Sequence, residues 1–327
     1  MSFDKKNWLA QTKKECRLLP FITNYYLNSL GLSITSSLTS GELISLATIK
    51  STEEFNLPAY IPLMDLTIEA ECFNVMMLYH IKTLPSVIAP ISIDYLLEKQ
   101  VPNLKTSRYL AHLDATRRLA QKNDLPVINF VSGPFTLLCQ VLSFNKVKEL
   151  LQHPGTLEKC LVIVSEFLIN YIEDLKTNGS NGFIICEPSL QFLSSMQITS
   201  FATRHIANIK QSQPEMLFGF HSCIDDIDKL NLTILKLEPD LVSVGNEGDL
   251  TKVFDFVLTS SLVIGNLSPV KTFVKNDAND ARIAIEKEAA RYKAFPNFIG
   301  GFSCVLPFNS KQANIAMIRS LTVKDTN

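Results

Sequence analysis

Residues 215–223 read Glu215-Met216-Leu217-Phe218-Gly219-Phe220-His221-Ser222-Cys223. The run from Met216 to Phe220 carries no polar residue at alternate positions. That is the pattern of a strand covered on both faces rather than one with a face in water. Six more stretches have this character: Tyr60-Ile61-Pro62-Leu63-Met64, Pro126-Val127-Ile128-Asn129-Phe130-Val131, Gly182-Phe183-Ile184-Ile185-Cys186, Leu241-Val242-Ser243-Val244, Leu262-Val263-Ile264 and Phe298-Ile299. Helical patterns fall between them, over residues 107–121, 157–176, 190–210 and 279–294.

Strands that alternate with helices build a parallel sheet clad in helices. No strand runs into a Gly-x-Gly-x-x-Gly turn, which argues against a dinucleotide-binding open sheet. The expectation is an α/β fold, a single (β/α)8 TIM barrel over residues 1–327. Residues 1–55 are read as an N-terminal helical extension packed on the barrel, with helices over 5–16 and 41–53 and an apolar stretch at 18–22. No low-complexity linker divides the chain, and its length is ample for one such core.

Hydrophobic residues make up 46% of the sequence and charged residues 19%, a globular balance. The formal net charge of -1 gives no electrostatic reason to expect a nucleic acid or an anionic membrane as partner. The most apolar long run, residues 160–172, is interrupted by Glu166, so no bilayer span is expected. The opening Met1-Ser2-Phe3-Asp4-Lys5-Lys6 lacks the apolar centre of a signal peptide. The seven cysteines are odd in number and scattered. A reduced, cytoplasmic protein is expected, whose thiols fill the core or hold a metal.

In a barrel, chemistry collects at the C-terminal ends of the strands. Asp65 follows Leu63-Met64, Ser132-Gly133 follow Val131, Glu187 follows Cys186, Gly265-Asn266 follow Ile264, and Cys304 ends the run from Phe298. His221 and Cys223, two residues apart, emerge on one face where their strand ends. An isolated His-x-Cys is more often a pair of half-buried residues than a metal site. Cys304 at the end of another strand completes a zinc-type donor set. Spacing offers no fourth ligand, as in open zinc sites. Two thiolates cancel the ion's two charges, which favours activating a sulfur nucleophile over making hydroxide.

The neighbouring residues carry alternative readings. Glu187 is either a capping acid or a displaceable fourth ligand guarding the open position. Asp65 is either a helix N-cap or part of the barrel mouth. Gly133-Pro134-Phe135-Thr136 reads as a tight strand-to-helix turn and as a wall of the pocket, to which Asn266 is also assigned.

Taken together these segments resemble the uroporphyrinogen decarboxylase superfamily, and within it the zinc-dependent methylcobamide:thiol methyltransferases typified by the coenzyme M methyltransferases. The resemblance rests on Pro62-Leu63-Met64-Asp65-Leu66-Thr67-Ile68-Glu69-Ala70-Glu71, Gly133-Pro134-Phe135-Thr136, Cys186-Glu187-Pro188-Ser189, His221-Ser222-Cys223, Gly265-Asn266-Leu267-Ser268-Pro269-Val270 and the Cys304 segment ahead of Asn314. It implies a (β/α)8 barrel with zinc on His221, Cys223 and Cys304. It further implies a small-molecule thiol, coenzyme M-like or other, that takes a methyl group from a methylcorrinoid presented by a separate small corrinoid protein.

The superfamily also implies an alternative, metal-independent decarboxylation of uroporphyrinogen type, because Asp65 aligns with that branch's central aspartate. That branch holds a polycarboxylate through an arginine-rich N-terminal segment, where Arg17-Leu18-Leu19-Pro20-Phe21 supplies a single arginine. Three departures stand out: Ile224 in place of the usual Gly, Gly245 where Asp is common, and Gly301-Phe302-Ser303-Cys304 in place of a Gly-Cys turn. They motivate a third reading, a degenerate, non-catalytic family member.

Overall fold

A computed structural model describes residues 3–15, 18–31, 33–81, 83–224, 226–245 and 249–321. β1 (Met76–Leu78) and β2 (Ser86–Ala89) pair as an antiparallel hairpin. β3 (Ile128–Ser132), β4 (Gly182–Cys186), β5 (Leu217–Ser222), β6 (Leu241–Val244), β7 (Leu262–Leu267) and β8 (Phe298–Phe302) form one parallel sheet in chain order. Parallel neighbours need a crossover, and helices such as Pro154–Thr177 before β4 and Ala278–Tyr292 before β8 supply it.

Two extended segments flank this sheet. Leu18 bridges in parallel to Gly300 of β8, and Tyr60 to Val127 just before β3. Leu19 N donates to Gly300 O at 2.8 Å, and Ile128 N donates to Tyr60 O at 2.9 Å. Residues 18–22 and 60–64 are thus the remaining two staves of the α/β barrel. Pro20 and Pro62 lie within them and have no N–H to give a ladder. Side chains span the gap instead: Thr23 Oγ1 donates to Ile61 O at 2.6 Å, while Asn24 Nδ2 donates to Met64 O and its Oδ1 accepts from Met64 N, both at 3.1 Å.

The uninterrupted apolar strands are explained by two separate cores. Ile184 and Cys186 of β4 join Leu217, Leu241, Leu262, Ile264 and Ile299 inside the barrel. Phe183 and Ile185, with Phe218 and Phe220, pack outward beneath the helices. Gly219 takes an inward position because Ile184 fills the space. A Cβ there would stand 2.7 Å from Ile184 Cγ1.

The helix expected over 190–210 is divided. A 3₁₀ turn, Pro188–Phe192, is followed by a new start at Ser194, whose side chain caps Ser195–Gln197 in a capping box with Gln197. A π turn, Ile198–Thr203, then leads into Arg204–Ser212. Among the described residues, no helix is long and apolar enough to cross a membrane.

Candidate metal centre

β5 delivers His221 to the C-terminal end of the barrel. Leu217 and His221 lie on the inward face, four residues apart, so the imidazole continues the interior side of the strand. The ring is fully buried and meets the Phe21 ring edge-on, centroids 5.6 Å apart. Its Nδ1 lies 3.1 Å from Ser243 Oγ on β6, where the register sets the two residues side by side. With Nδ1 so engaged, Nε2 is left for the thiols.

Cys304 arrives from β8. The backbone on either side of it is pinned: Ser303 N donates to Leu267 O at 2.9 Å, and Leu306 N donates to Phe21 O at 2.8 Å. Phe21 therefore both braces the imidazole and anchors the cysteine loop. One donor atom each from His221, Cys223 and Cys304 lie within 4.8 Å of one another. Tetrahedral ligands at zinc's usual bond lengths stand about 3.5–3.8 Å apart, so donor atoms within 4.8 Å of one another are near the spacing one ion requires. Among the described residues no other group of His, Cys, Asp and Glu side chains converges in this way. An imidazole and two sulfurs are a fitting donor set for zinc.

The electrostatics favour a thiolate. A hydrogen bond from the Cys304 thiol, reinforced by His221, holds Cys223 well below the ordinary thiol range despite its burial. The same bond, with burial, pushes Cys304 up. Of the two thiols, Cys223 is the more readily ionised. Cys186 is register-paired with His221 and lies inside the barrel. Burial, and then Cys223 nearby, push its thiol well above the usual value.

The remaining residues are distributed around this centre. Glu187 is joined to it through its backbone: Glu187 N donates to His221 O at 2.9 Å, and Ser222 Oγ donates to Glu187 O at 2.8 Å. Its carboxylate turns to the N-terminus of helix Pro134–Leu142, accepting from Phe135 N and Thr136 N at 2.9 Å and Thr136 Oγ1 at 2.6 Å. Burial outweighs those bonds and raises it to about 7. Gly133 is required by that packing, since a Cβ would fall 2.1 Å from Glu187 Cδ.

Asp65 follows the stave 60–64 and is buried. Helix Ile68–Glu71 begins after Thr67, so Asp65 is not its cap. Asp65 Oδ1 accepts from Thr67 N (3.1 Å) and Thr67 Oγ1 (2.8 Å), and Oδ2 accepts from Arg108 Nη1 at 2.6 Å. Arg108 also donates from Nε to Glu71 Oε2 at 2.9 Å. Asn266, buried at the end of β7, lies in register with Gly301. Arg17 lies outside the described residues.

Sequence reasoning passed over Ser243 and Arg108. A hydroxyl in the middle of the buried quartet Leu241-Val242-Ser243-Val244 was a usable signal, because a buried polar group needs a partner. Arg108 gave none: an arginine in the first turn of a helix ordinarily reads as surface.

The profile of the uroporphyrinogen decarboxylase (URO-D) family matches residues 21–323. The chain belongs to this family. Two URO-D relatives, the uroporphyrinogen decarboxylases of Chlamydia abortus and Chlamydia caviae, are 23% and 24% identical over 227 and 235 residues. Those alignments cover 64% and 67% of this chain and 66% and 68% of theirs, so the chain matches about two thirds of these relatives' length. Among solved structures, a methyltransferase from Methanosarcina mazei superposes with a TM-score of 0.83 at 19% identity over 98% of both chains. A B12-independent methionine synthase from Shewanella sp. W3-18-1 gives 0.57 at 12% identity, over 88% of this chain and 86% of that one. At such identities the likeness is one of fold. A shared barrel does not fix the reaction, which depends on the side chains at its mouth.

Proposed function

We propose that this chain is a zinc-dependent methyltransferase that moves a methyl group between a methylated corrinoid, carried by a separate small protein, and a thiol acceptor. The observation that carries the reading is the convergence of His221, Cys223 and Cys304 from two separated staves. The Methanosarcina mazei protein whose fold this chain shares is itself a methyltransferase, which agrees with it.

His221, Cys223 and Cys304 would hold the ion, with Cys223 the readier thiolate. Bound zinc supplies Lewis acidity that keeps an acceptor thiol deprotonated near neutral pH. The chain's own part is position: the barrel end presents the donor cluster, and Phe21, Ser243 and the pinned Cys304 loop hold it still. The acceptor sulfur would attack the methyl carbon of the methylcorrinoid brought by the partner protein, displacing the corrinoid with the electron pair of the broken bond, and the acceptor's proton would go to solvent. Purified protein mixed with free methylcobalamin and a panel of thiols should bleach the methylcobalamin spectrum only when thiol is present. No thiol-dependent change in zinc-replete protein would refute the reading.

The second reading, decarboxylation of a uroporphyrinogen-type acid, is favoured by the names of the Chlamydia relatives. The Asp65 pairing speaks against it. Both carboxylate oxygens are already engaged by Thr67 and Arg108, which leaves the residue poorly placed to receive a substrate.

A further inference from the structure

We propose that Ser243 is the positioning residue that decides which nitrogen of His221 faces the two cysteines, and so sets the metal affinity of the centre. The inference rests on the metal reading above and extends it to a residue outside the donor set.

Ser243 interrupts an otherwise apolar strand. Leu241, two residues earlier on β6, belongs to the barrel interior, so the Ser243 side chain also points inward. The β5–β6 register then places it directly beside His221. Both side chains are buried, and the hydroxyl oxygen and Nδ1 are 3.1 Å apart. Among the described residues the hydroxyl has no other hydrogen-bond partner. A hydroxyl in such a place costs free energy unless it is paired, and here the pairing falls on the ligand imidazole.

A neutral imidazole carries one N–H, and the bond made by one nitrogen settles the role of the other. A proton on Nδ1, donated to Ser243 Oγ, leaves the Nε2 lone pair directed at Cys223 and Cys304. A proton on Nε2 would instead occupy the space between the sulfurs. A 180° ring flip would carry Nδ1 away from Ser243 and leave the buried hydroxyl without its partner. Partners of this kind typically contribute 10–100-fold to metal affinity.

The test compares wild type, Ser243→Ala and Ser243→Thr, each stripped and reloaded with zinc, by competition with a chromophoric chelator. Cobalt(II) absorption reports the geometry of the site, and circular dichroism reports folding. Ser243→Ala should lose about 10–100-fold in zinc affinity and show altered cobalt bands. Ser243→Thr, which keeps the hydroxyl, should stay close to wild type. Nitrogen-15 NMR of the His221 ring in zinc-loaded wild type should find the proton on Nδ1, whether or not the alanine variant folds. Equal affinity in wild type and Ser243→Ala, or a proton on Nε2 in the loaded wild type, overturns the role of Ser243 and leaves the metal site standing. A wild type that binds no zinc overturns the site itself, and the role of Ser243 with it.

Discussion

Arg108 Nη1 lies 2.6 Å from Asp65 Oδ2, and both side chains are almost wholly withdrawn from solvent. A buried ion pair repays its desolvation only when the remaining donors and acceptors are also met. Here they are: Arg108 reaches Glu71 Oε2, Thr67 Oγ1 and Thr67 O as well as Asp65, and its guanidinium lies 5.5 Å from the centre of the Tyr79 ring. The network ties the first turns after stave 60–64, the β1–β2 hairpin and helix Ser107–Ala120 into one corner of the barrel mouth. Removing one partner leaves an uncompensated buried charge, so Arg108→Ala should cost about 3–5 kcal/mol in urea unfolding. A loss under about 1 kcal/mol would mean that the pair behaves as a surface ion pair.

Glu69 predicts a pH dependence of stability. Burial raises its carboxyl to about 7, against the bonds it makes with Ser132. Ser132 Oγ has one proton and two acceptors within reach, Leu66 O at 2.8 Å and Glu69 Oε2 at 3.1 Å. A proton on Glu69 lets both contacts be hydrogen bonds. With a folded pKa above the unfolded one, the folded state holds a proton that the unfolded chain releases between pH 4.5 and 7. The contribution of Glu69 is therefore fully present below that window and is lost as pH rises through it, by a few kcal/mol at most. Glu69→Gln, an imitation of the protonated acid, should match wild type near pH 5 and be the more stable of the two at pH 8. Parallel pH–stability curves for the two proteins would contradict this.

Gly133 is set by its neighbour rather than by its own backbone. Its φ of -76° is open to any residue, but Glu187 occupies the place of a side chain. Gly133→Ala must displace the Glu187 carboxylate from the helix N-terminus or move the turn. Overpacking of this kind costs about 1–3 kcal/mol, measurable by thermal or urea unfolding. Through the Glu187–His221 backbone bond it should also weaken zinc binding. An alanine variant as stable as wild type would show that the helix cap is dispensable.

Much of the fold was legible because a strand buried on both faces leaves a plain signature. Gly182–Cys186 and Leu241–Val244 begin and end where their apolar runs do. The hairpin escaped notice since Met76–Leu78 is only three residues long and, although apolar, leaves Met76 and Leu78 exposed, unlike the doubly buried strands of the barrel. Residues 18–22 read as merely apolar, since their place as a stave depends on a single bridge to Gly300, far away in sequence. The proximity of His221, Cys223 and Cys304 was legible from barrel logic, which carries strand ends to one face. Ser243 and Arg108 act through partners 22 and 43 residues away. Only the strand register and the helix packing reveal those pairs.

The most direct test is elemental analysis for zinc on purified wild type, Cys223→Ser and Cys304→Ser, after dialysis against a weak chelator. The account predicts close to one zinc per wild-type chain and a large loss in both variants, with each still folded by circular dichroism. A folded wild type without zinc, or a Cys304→Ser variant that retains the full complement, would contradict it.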